Sequence, residues 1–356
     1  MGVQNFDAVI VGAGFSGLYM LHRLKQMGLS ARVFEAGEGV GGTWFWNRYP
    51  GARVDIESLE YCYTFSPELD AEWRWSERYA TQPELERYLN HVADRFGLRG
   101  DIQLQTRVTA ATFDEDAGCW SVTTDASETV SARYCIMATG CLSVPNDVVF
   151  EGAETFEGQS YRTFDWPREG VDFTGKRVAV IGTGSSAIQS IPVIADEAEK
   201  LIVFQRTPNF SAPARNGPIP EGIVADWAAN REKYRAEART NGAGIKFAQA
   251  RAEMLGPMED DAARQAEYER RWAIGGFALL GAYADVMIDP ATNETAAEFV
   301  RRKIRETVKD PSTAEKLIPR SYPIGTKRMC VDTGYYATFN RENVELVDLR
   351  EEPLER

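Results

Sequence analysis

Histidine is nearly missing from this sequence. The 356-residue chain has two, His22 and His91, and their positions offer no metal-ligand spacing. Cysteine is sparse and unpatterned. Cys62, Cys119, Cys135, Cys141 and Cys330 form no Cys-x-x-Cys or other zinc spacing, and their odd count suits free thiols in a reducing compartment. No apolar run reaches the roughly 18–20 residues that a membrane helix needs. The first residues lack the basic region of a signal peptide, and "MGVQNF" lacks the Ser/Thr that myristoylation requires. Cationic excess is missing too. Lys and Arg number 40 against 53 Asp and Glu, a formal net charge of −13. Nonspecific nucleic-acid binding needs the opposite balance, because cationic surface must displace phosphate counterions. These absences point to a cytoplasmic protein without a nucleic-acid or membrane partner, and metal ligands are expected to be none.

What is present is ordinary globular material, 44% hydrophobic and 26% charged, long enough for two or three domains with a sizeable core. Residues 6–11 read as a short buried strand, 15–27 as a helix and 31–37 as a second strand. An aromatic-rich loop spans 43–66, and helical periodicity runs over 82–96. "IQLQTRVTAATFD" and "CWSVTTD" alternate as an antiparallel meander, and 132–140 is a strand ending in a glycine turn. A turn-rich linker, 141–172, leads to a second strand–turn–helix–strand unit at 176–207. Residues 222–316 are charged and helical in period, with Trp227, Tyr234, Tyr268, Trp272 and Phe277 as expected buried anchors. "VELVD", 344–348, reads as a last strand. The fold class is therefore α/β: two Rossmann-like dinucleotide-binding domains, with a β-meander insertion and a helical insertion.

Two glycine turns carry the functional signal. In "FDAVIVGAGFSGLYMLHRL", Gly12 permits the tight bend, Gly14 lets a pyrophosphate approach the backbone, and Gly17 lets helix and strand pack closely. Glu35 ends the following strand, where a carboxylate accepts hydrogen bonds from ribose hydroxyls. The second turn, "VIGTGSSAIQ", carries Gly182, Gly184 and Ala187, but its second strand ends in Arg206 where the acid would stand. A carboxylate there would repel a 2′-phosphate, whereas a guanidinium can bind it with two hydrogen bonds. Two turns thus imply two dinucleotides, FAD at the acid-terminated site and NADPH at the Arg-terminated one. A flavin disulfide reductase would add a redox cysteine pair. Cys135 and Cys141 are the nearest candidates and read as ordinary thiols, which leaves oxygen as the acceptor.

The loop "GGTWFWNRYPGARVD" sharpens the reading. It resembles the Baeyer–Villiger monooxygenases, especially their phenylacetone and cyclohexanone monooxygenase branch, whose fingerprint positions are met by Gly41, Gly42, Trp44, Tyr49, Pro50, Gly51 and Asp55. "DIESLEYCYTFS", "FQRTPNFSAPARN" and "GTKRMCVDTGYYATFNRENVELVD" are similar to the same family. The resemblance implies an NADPH- and O2-dependent conversion of ketones to esters or lactones through a C4a-peroxyflavin. It implies Arg328 as the active-site arginine, Asp55 as the residue that orients and tunes it, and Lys327 as a second cation for the 2′-phosphate. Thr43 and Trp44 would line the flavin. It also implies cofactor contacts for Tyr61, Val108, Thr183, Ser185, Gln189 and Thr207. Two alternatives stand beside it: a related flavin monooxygenase oxidising amines or sulfides, and a truncated, non-catalytic nucleotide-binding remnant.

The sequence departs from the family pattern twice. The second fingerprint, Phe-x-Gly-x-x-x-His-x-x-x-(Trp/Asp), appears as "FEGQSYRTFDW", with Phe156, Gly158 and Trp166 in place but Arg162 where histidine belongs. Arginine is longer and stays charged, which bears on how NADPH oxidation is coupled to oxygenation. The family's chains also run further, so the FAD domain is expected to be incomplete at the C-terminus. The expected map is 1–140 for the FAD-binding domain, 141–172 for the linker and 173–221 for the first part of the NADP-binding domain. It continues with 222–316 for the helical insertion, 317–343 for the NADP domain's return and 344–356 for the start of a return to the FAD domain.

Overall fold

The computed structural model describes residues 3–146, 148, 150–240, 244–246, 255–256 and 260–353. The chain divides into two compact units, Met1–Arg48 with Gln82–Arg168, and Tyr49–Thr81 with Glu169–Arg356. The fingerprint loop from Tyr49 onward therefore belongs with the second glycine turn. Among the described residues no helix is long and apolar enough to cross a membrane.

The first unit opens with β1 (Gln4–Val11), α1 (Phe15–Gln26) and β2 (Ala31–Phe34). Ala8, Val9 and Ile10 are all fully buried, the continuous apolar run of a strand covered on both faces. On α1, Leu18, Leu21 and Leu24 recur at helical spacing and face inward. A short helix, α2 (Thr43–Trp46), replaces the start of the expected loop; α3 (Pro67–Glu72) lies in the second unit. The helix α4 (Gln82–Arg95) buries Leu85, Tyr88, Leu89 and Val92 along one stripe.

The strands β3 (Ile102–Gln103), β4 (Val108–Asp114), β5 (Cys119–Thr124) and β6 (Thr129–Met137) complete one six-stranded sheet, ordered β3-β2-β1-β6-β5-β4. The expected meander is there. β6 serves both its parts: its first half pairs antiparallel with β5, while most of its length runs parallel to β1. Val9, Phe34, Val122, Val130 and Ala132 form one cluster across this sheet, and Val108 packs against it.

In the second unit, β7 (Arg177–Ile181), α5 (Ser185–Glu197) and β8 (Lys200–Gln205) form the second strand–turn–helix–strand motif. Strands β9 (Ser211–Pro213) and β10 (Cys330–Asp332) pair in parallel. Between them run α6 (Glu221–Thr240), α7 (Asp261–Ile274), α8 (Pro290–Thr307) and α9 (Pro311–Leu317). After β10 come α10 (Tyr335–Thr338) and β11 (Val344–Asp348).

Two expectations are corrected here. Residues 344–348 do not begin a return to the first unit: β11 pairs in parallel with β8 along Val344–Asp348 and gives the second sheet its order β11-β8-β7. Asn343 secures the junction, donating its amide to Ala195 O and Ala198 O at the end of α5. Among the five expected aromatic anchors, only Tyr268 is fully buried, its ring meeting Tyr283 edge-on and Phe299 at a tilt, with its hydroxyl on Thr295. Trp227, Tyr234, Trp272 and Phe277 are half-buried. The charged surface of α6 buries only Arg235, which is paired with Asp70.

Candidate functional site

The first glycine turn is built as a close crossing of backbones. Gly12 has φ +105°, and a Cβ there would lie 2.6 Å from the carbonyl oxygen of Ala138. A Cβ on Gly17 would lie 1.9 Å from Gly12 O, so helix and strand can approach only with glycine at both positions. Gly14, the N-cap of α1, meets Gly42, whose own Cβ would lie 2.8 Å from Gly14 Cα. As the N-cap of α1, Gly14 has no side chain to cap the helix start, the arrangement in which first-turn N–H groups take a phosphate. Glu35 is buried, and its two carboxylate oxygens accept from Ala13 N (2.7 Å) and Gly37 N (2.8 Å). It therefore shapes the turn as well as offering its remaining lone pairs.

The residues around α2 hold the edges of this unit together. Trp44 is buried, and its carbonyl accepts from Gln82, the residue at which the chain re-enters the unit. The ring of Phe45 carries two guanidinium groups, Arg48 at 4.8 Å and Arg168 at 4.5 Å. These are the two residues after which the chain leaves the unit. Arg168 also pairs with Glu38 at 2.6 Å. Burial, and then repulsion from Arg168, lower the pKa of Arg48. Thr43 starts α2 and its carbonyl accepts from Asn47. Nothing in the sequence reading singled out Phe45; the glycine-rich run before it is the signal, because Cβ atoms at Gly37 and Gly39 would strike its ring.

The second glycine turn repeats the first in its backbone. Gly182 has φ +106° and donates to Phe204 O at 2.8 Å, as Gly12 does to Phe34 O. Gly184 caps α5 without a side-chain bond, and Ser185 is its exposed first residue. Thr183 is buried and its hydroxyl donates to Thr207 O (2.9 Å). Asn209, which the sequence reading missed, donates its amide to Thr183 O and accepts from the Tyr322 hydroxyl (2.9 Å). The Tyr322 ring in turn lies under the Lys327 ammonium at 4.6 Å. Lys327 and Arg206 are both exposed.

Asp55 and Arg328 meet in the second unit. Arg328 donates from Nε and Nη2 to the two Asp55 oxygens, each at 2.6 Å, across a sequence separation of 273. Both ends are positioned by backbone. The segment around Asp55 is tied to residues 78–81 through Val54 N to Ala80 O and Ser58 N to Arg78 O. Arg328 stands just before β10, whose pairing with β9 fixes its place. The Arg328 side chain is 62% exposed and its guanidinium carbon lies 5.7 Å from the Phe277 ring centroid, so its charge is available to a ligand.

Gln189, expected among the cofactor contacts, also has partners within the protein. It is 5% exposed, and its Oε1 accepts from the Tyr49 hydroxyl at 3.0 Å while its Nε2 donates to Arg53 O at 3.1 Å. A Cβ on Gly51 would lie 2.3 Å from Gln189 O. The side chain and backbone of Gln189 thus seat the fingerprint loop on α5. Tyr61 lies in the same unit, half-buried, its N–H on Glu57 O. Exposed Arg162 precedes the short turn Thr163–Asp165, beyond which the Trp166 ring packs at a tilt against Tyr161, centroids 5.6 Å apart. Cys135 is half-buried, Cys141 exposed, and both are free.

Comparison with known proteins agrees with this geometry. Residues 9–229 match the family model described as pyridine nucleotide-disulphide oxidoreductase. A phenazine N-monooxygenase of Lysobacter antibioticus is 42% identical over 98% of this chain. A Baeyer–Villiger monooxygenase of Pseudooceanicola batsensis is 40% identical over 98% of it. The chain spans 64% of the length of each of these relatives. A solved structure of oxidized steroid monooxygenase bound to NADP superposes with a TM-score of 0.95 at 51% identity, over 99% of this chain and 67% of that one. With two matching nucleotide turns and the fingerprint aspartate paired to its arginine, the chain belongs to the Baeyer–Villiger monooxygenases within the pyridine nucleotide-disulphide oxidoreductase family.

Proposed function

We propose that this chain carries the nucleotide sites and the reactive ion pair of an NADPH- and FAD-dependent monooxygenase that inserts one oxygen atom of O2 into ketones, giving esters or lactones. The observation that carries the reading is the two-bond contact of Arg328 with Asp55. It joins the fingerprint loop to a segment 273 residues away, and it fixes an arginine side chain that is largely exposed. FAD reduced by NADPH would supply the electrons that activate O2.

The residues present fit both groups. Gly12, Gly14, Gly17 and Gly42 leave the first cradle without side-chain obstruction, with the α1 terminus behind it and Glu35 at its end. Thr43 and Trp44 lie in this unit and would line the flavin; Val108 lies in it too and Tyr61 in the other unit, each proposed as a cofactor contact from the resemblance. Gly182, Thr183, Gly184, Ser185 and Thr207 shape the second cradle for a pyrophosphate. Arg206 and Lys327 would take the 2′-phosphate, and the chain Lys327–Tyr322–Asn209–Thr183 ties that cation to the turn. Arg328 would place fixed positive charge where oxygen develops negative charge, and Asp55 holds the guanidinium in that orientation. The substrate is a small-molecule ketone.

The test is to supply the purified protein with FAD, NADPH, air and a ketone, and to measure ester against NADPH consumed and peroxide released. Ester or lactone formed in proportion to NADPH supports the reading. The similarity to a phenazine N-monooxygenase gives a second reading, oxidation of a ring nitrogen. An aromatic N-heterocycle assayed beside the ketone, with N-oxide as the product in place of ester, would establish it.

A further inference from the structure

Lys327 folds back over a ring that stands just before it in the chain. Residues 323–326 make a tight turn, closed by Thr326 N on Pro323 O at 3.2 Å, and its third residue, Gly325, has φ +87°. Asn293 of α8 pins this turn: its Oδ1 accepts from Ile324 N at 3.1 Å and its Nδ2 donates to Ile324 O at 2.8 Å. The fold-back leaves the Lys327 ammonium 4.6 Å from the Tyr322 ring centroid. Among the described residues neither Lys327 nor Arg206 makes an ion pair, whereas Arg328, next in the chain, is engaged by Asp55. Both free charges are exposed and open to an anion.

The other end of Tyr322 reaches the second glycine turn. Its hydroxyl proton is shared between Pro208 O at 2.8 Å and Asn209 Oδ1 at 2.9 Å. Asn209 donates its amide to Thr183 O, between Gly182 and Gly184, and its own carbonyl accepts from the Tyr336 hydroxyl at 2.9 Å. Pro208 directly follows Arg206 and Thr207, and Thr207 O accepts from the Thr183 hydroxyl at 2.9 Å. The Phe210 ring meets the Tyr322 ring edge-on, centroids 5.7 Å apart, and holds it in place. Burial pushes the Tyr322 hydroxyl up to about 12, so it stays protonated and donates at neutral pH. One half-buried side chain thus touches both segments that carry an unpaired cation, by its face at Lys327 and by its hydroxyl at the residues after Arg206.

We infer that Tyr322 is a positioning residue for the choice between NADPH and NADH, with two separable parts. The ring holds the Lys327 ammonium. A lysine on its flexible stem gives up rotamer freedom when it binds phosphate, and a ring that confines it beforehand reduces that cost. This part acts only on a dinucleotide that carries a 2′-phosphate. The hydroxyl holds Asn209, and through it the Thr183 carbonyl, in the shape that the turn needs for a pyrophosphate. This part acts on any dinucleotide. The ring's part rests on the placing of the 2′-phosphate at Arg206 and Lys327 proposed above.

The experiment is calorimetric titration of purified protein, supplied with FAD, with NADP+ and with NAD+. Tyr322→Phe keeps the ring and removes the hydroxyl. Both nucleotides should then bind roughly two- to tenfold more weakly, with their ratio unchanged. Tyr322→Leu removes the ring as well, and its preference for NADP+ should fall about two- to fivefold below that of Tyr322→Phe. A merely structural role would weaken both nucleotides alike and leave the ratio where it was. With Lys327→Ala already made, Tyr322→Phe and Tyr322→Leu should give the same ratio, because no ammonium is left for the ring to hold. Tyr322→Met gives the same readout if the leucine variant misfolds. Equal ratios for Tyr322→Phe and Tyr322→Leu in the presence of Lys327, or a difference between them that survives Lys327→Ala, overturn the ring's part. Wild-type binding of both nucleotides by Tyr322→Phe overturns the hydroxyl's part. Lys327→Ala alone separates the two failures. If it keeps the full preference, the 2′-phosphate lies elsewhere and the proposed site falls together with the ring's part; if it loses the preference while Tyr322→Leu does not, only the ring's part falls.

Discussion

Replacing Gln189 with alanine separates an anchor from a cofactor contact. In the structure its amide makes two well-formed hydrogen bonds, at 3.0 Å to the Tyr49 hydroxyl and 3.1 Å to Arg53 O, and a longer one from Arg53 N at 3.4 Å. Each good bond contributes about 1 kcal/mol net, so their loss costs about 2 kcal/mol. Truncating a side chain that is 5% exposed leaves a void as well, worth roughly 1 kcal/mol more. Tyr49 keeps a bond to Ser186, which limits the damage on that side. The second unit therefore loses about 2–3 kcal/mol, and its calorimetric midpoint should fall by roughly 5–10 °C for a unit of this size. The loop that carries Asp55 loosens with it. Scanning calorimetry of wild type and Gln189→Ala, with NADP+ titration of both by isothermal calorimetry, reads the two roles apart. An unchanged midpoint together with weakened NADP+ binding would refute the anchor and leave the cofactor contact as the role of Gln189.

The other predictions address single links. Arg206→Ala should remove most of the preference for NADPH over NADH, roughly tenfold in the ratio of dissociation constants, since one charge-assisted contact is worth about 1.5–3 kcal/mol; undiminished discrimination would move the 2′-phosphate elsewhere. Gly17→Ala forces a Cβ to 1.9 Å from Gly12 O, and the resulting overpacking of about 1–3 kcal/mol or more should show as loss of bound flavin absorbance, with a normal spectrum counting against the close crossing. Arg328→Ala should keep its folded midpoint within about 2 °C, because the side chain is 62% exposed, and should lose ester formation; normal ester yield would remove Arg328 from the reaction. Glu60 has its pKa raised in the fold, so the stability it contributes is full below the ordinary value of 4.5 and is lost as pH rises towards about 8. Thermal midpoints across that window should fall more steeply for wild type than for Glu60→Gln, and parallel curves would contradict the shift.

Much of this protein was legible in the order of its residues. Both strand–glycine–helix units follow from local physics. A run such as Ala8–Ile10 can only be buried, Leu18, Leu21 and Leu24 recur at helical spacing, and Gly12 and Gly182 stand where the chain needs φ above +100°. The family resemblance, from the fingerprint at Asp55 and the separate segment at Arg328, linked two residues that only the fold brings into contact. What sequence could not decide are the matters that depend on which surfaces meet. "VELVD" has the pattern of a strand whichever sheet receives it, and only the pairing of Val344–Asp348 with β8 assigns it to the second unit. The aromatic residues of the helical segment look alike in a list, yet Tyr268 is enclosed by Tyr283 and Phe299 while Trp227 stays half-open. Gln189 sits in the second glycine-turn motif, but its amide is taken by a loop more than a hundred residues upstream. Periodicity and turn chemistry act over a few residues and are written locally. Partner choice for a polar side chain, and the partner strand of a β-run, are settled by desolvation and complementarity between distant segments, which exist only once the chain has folded.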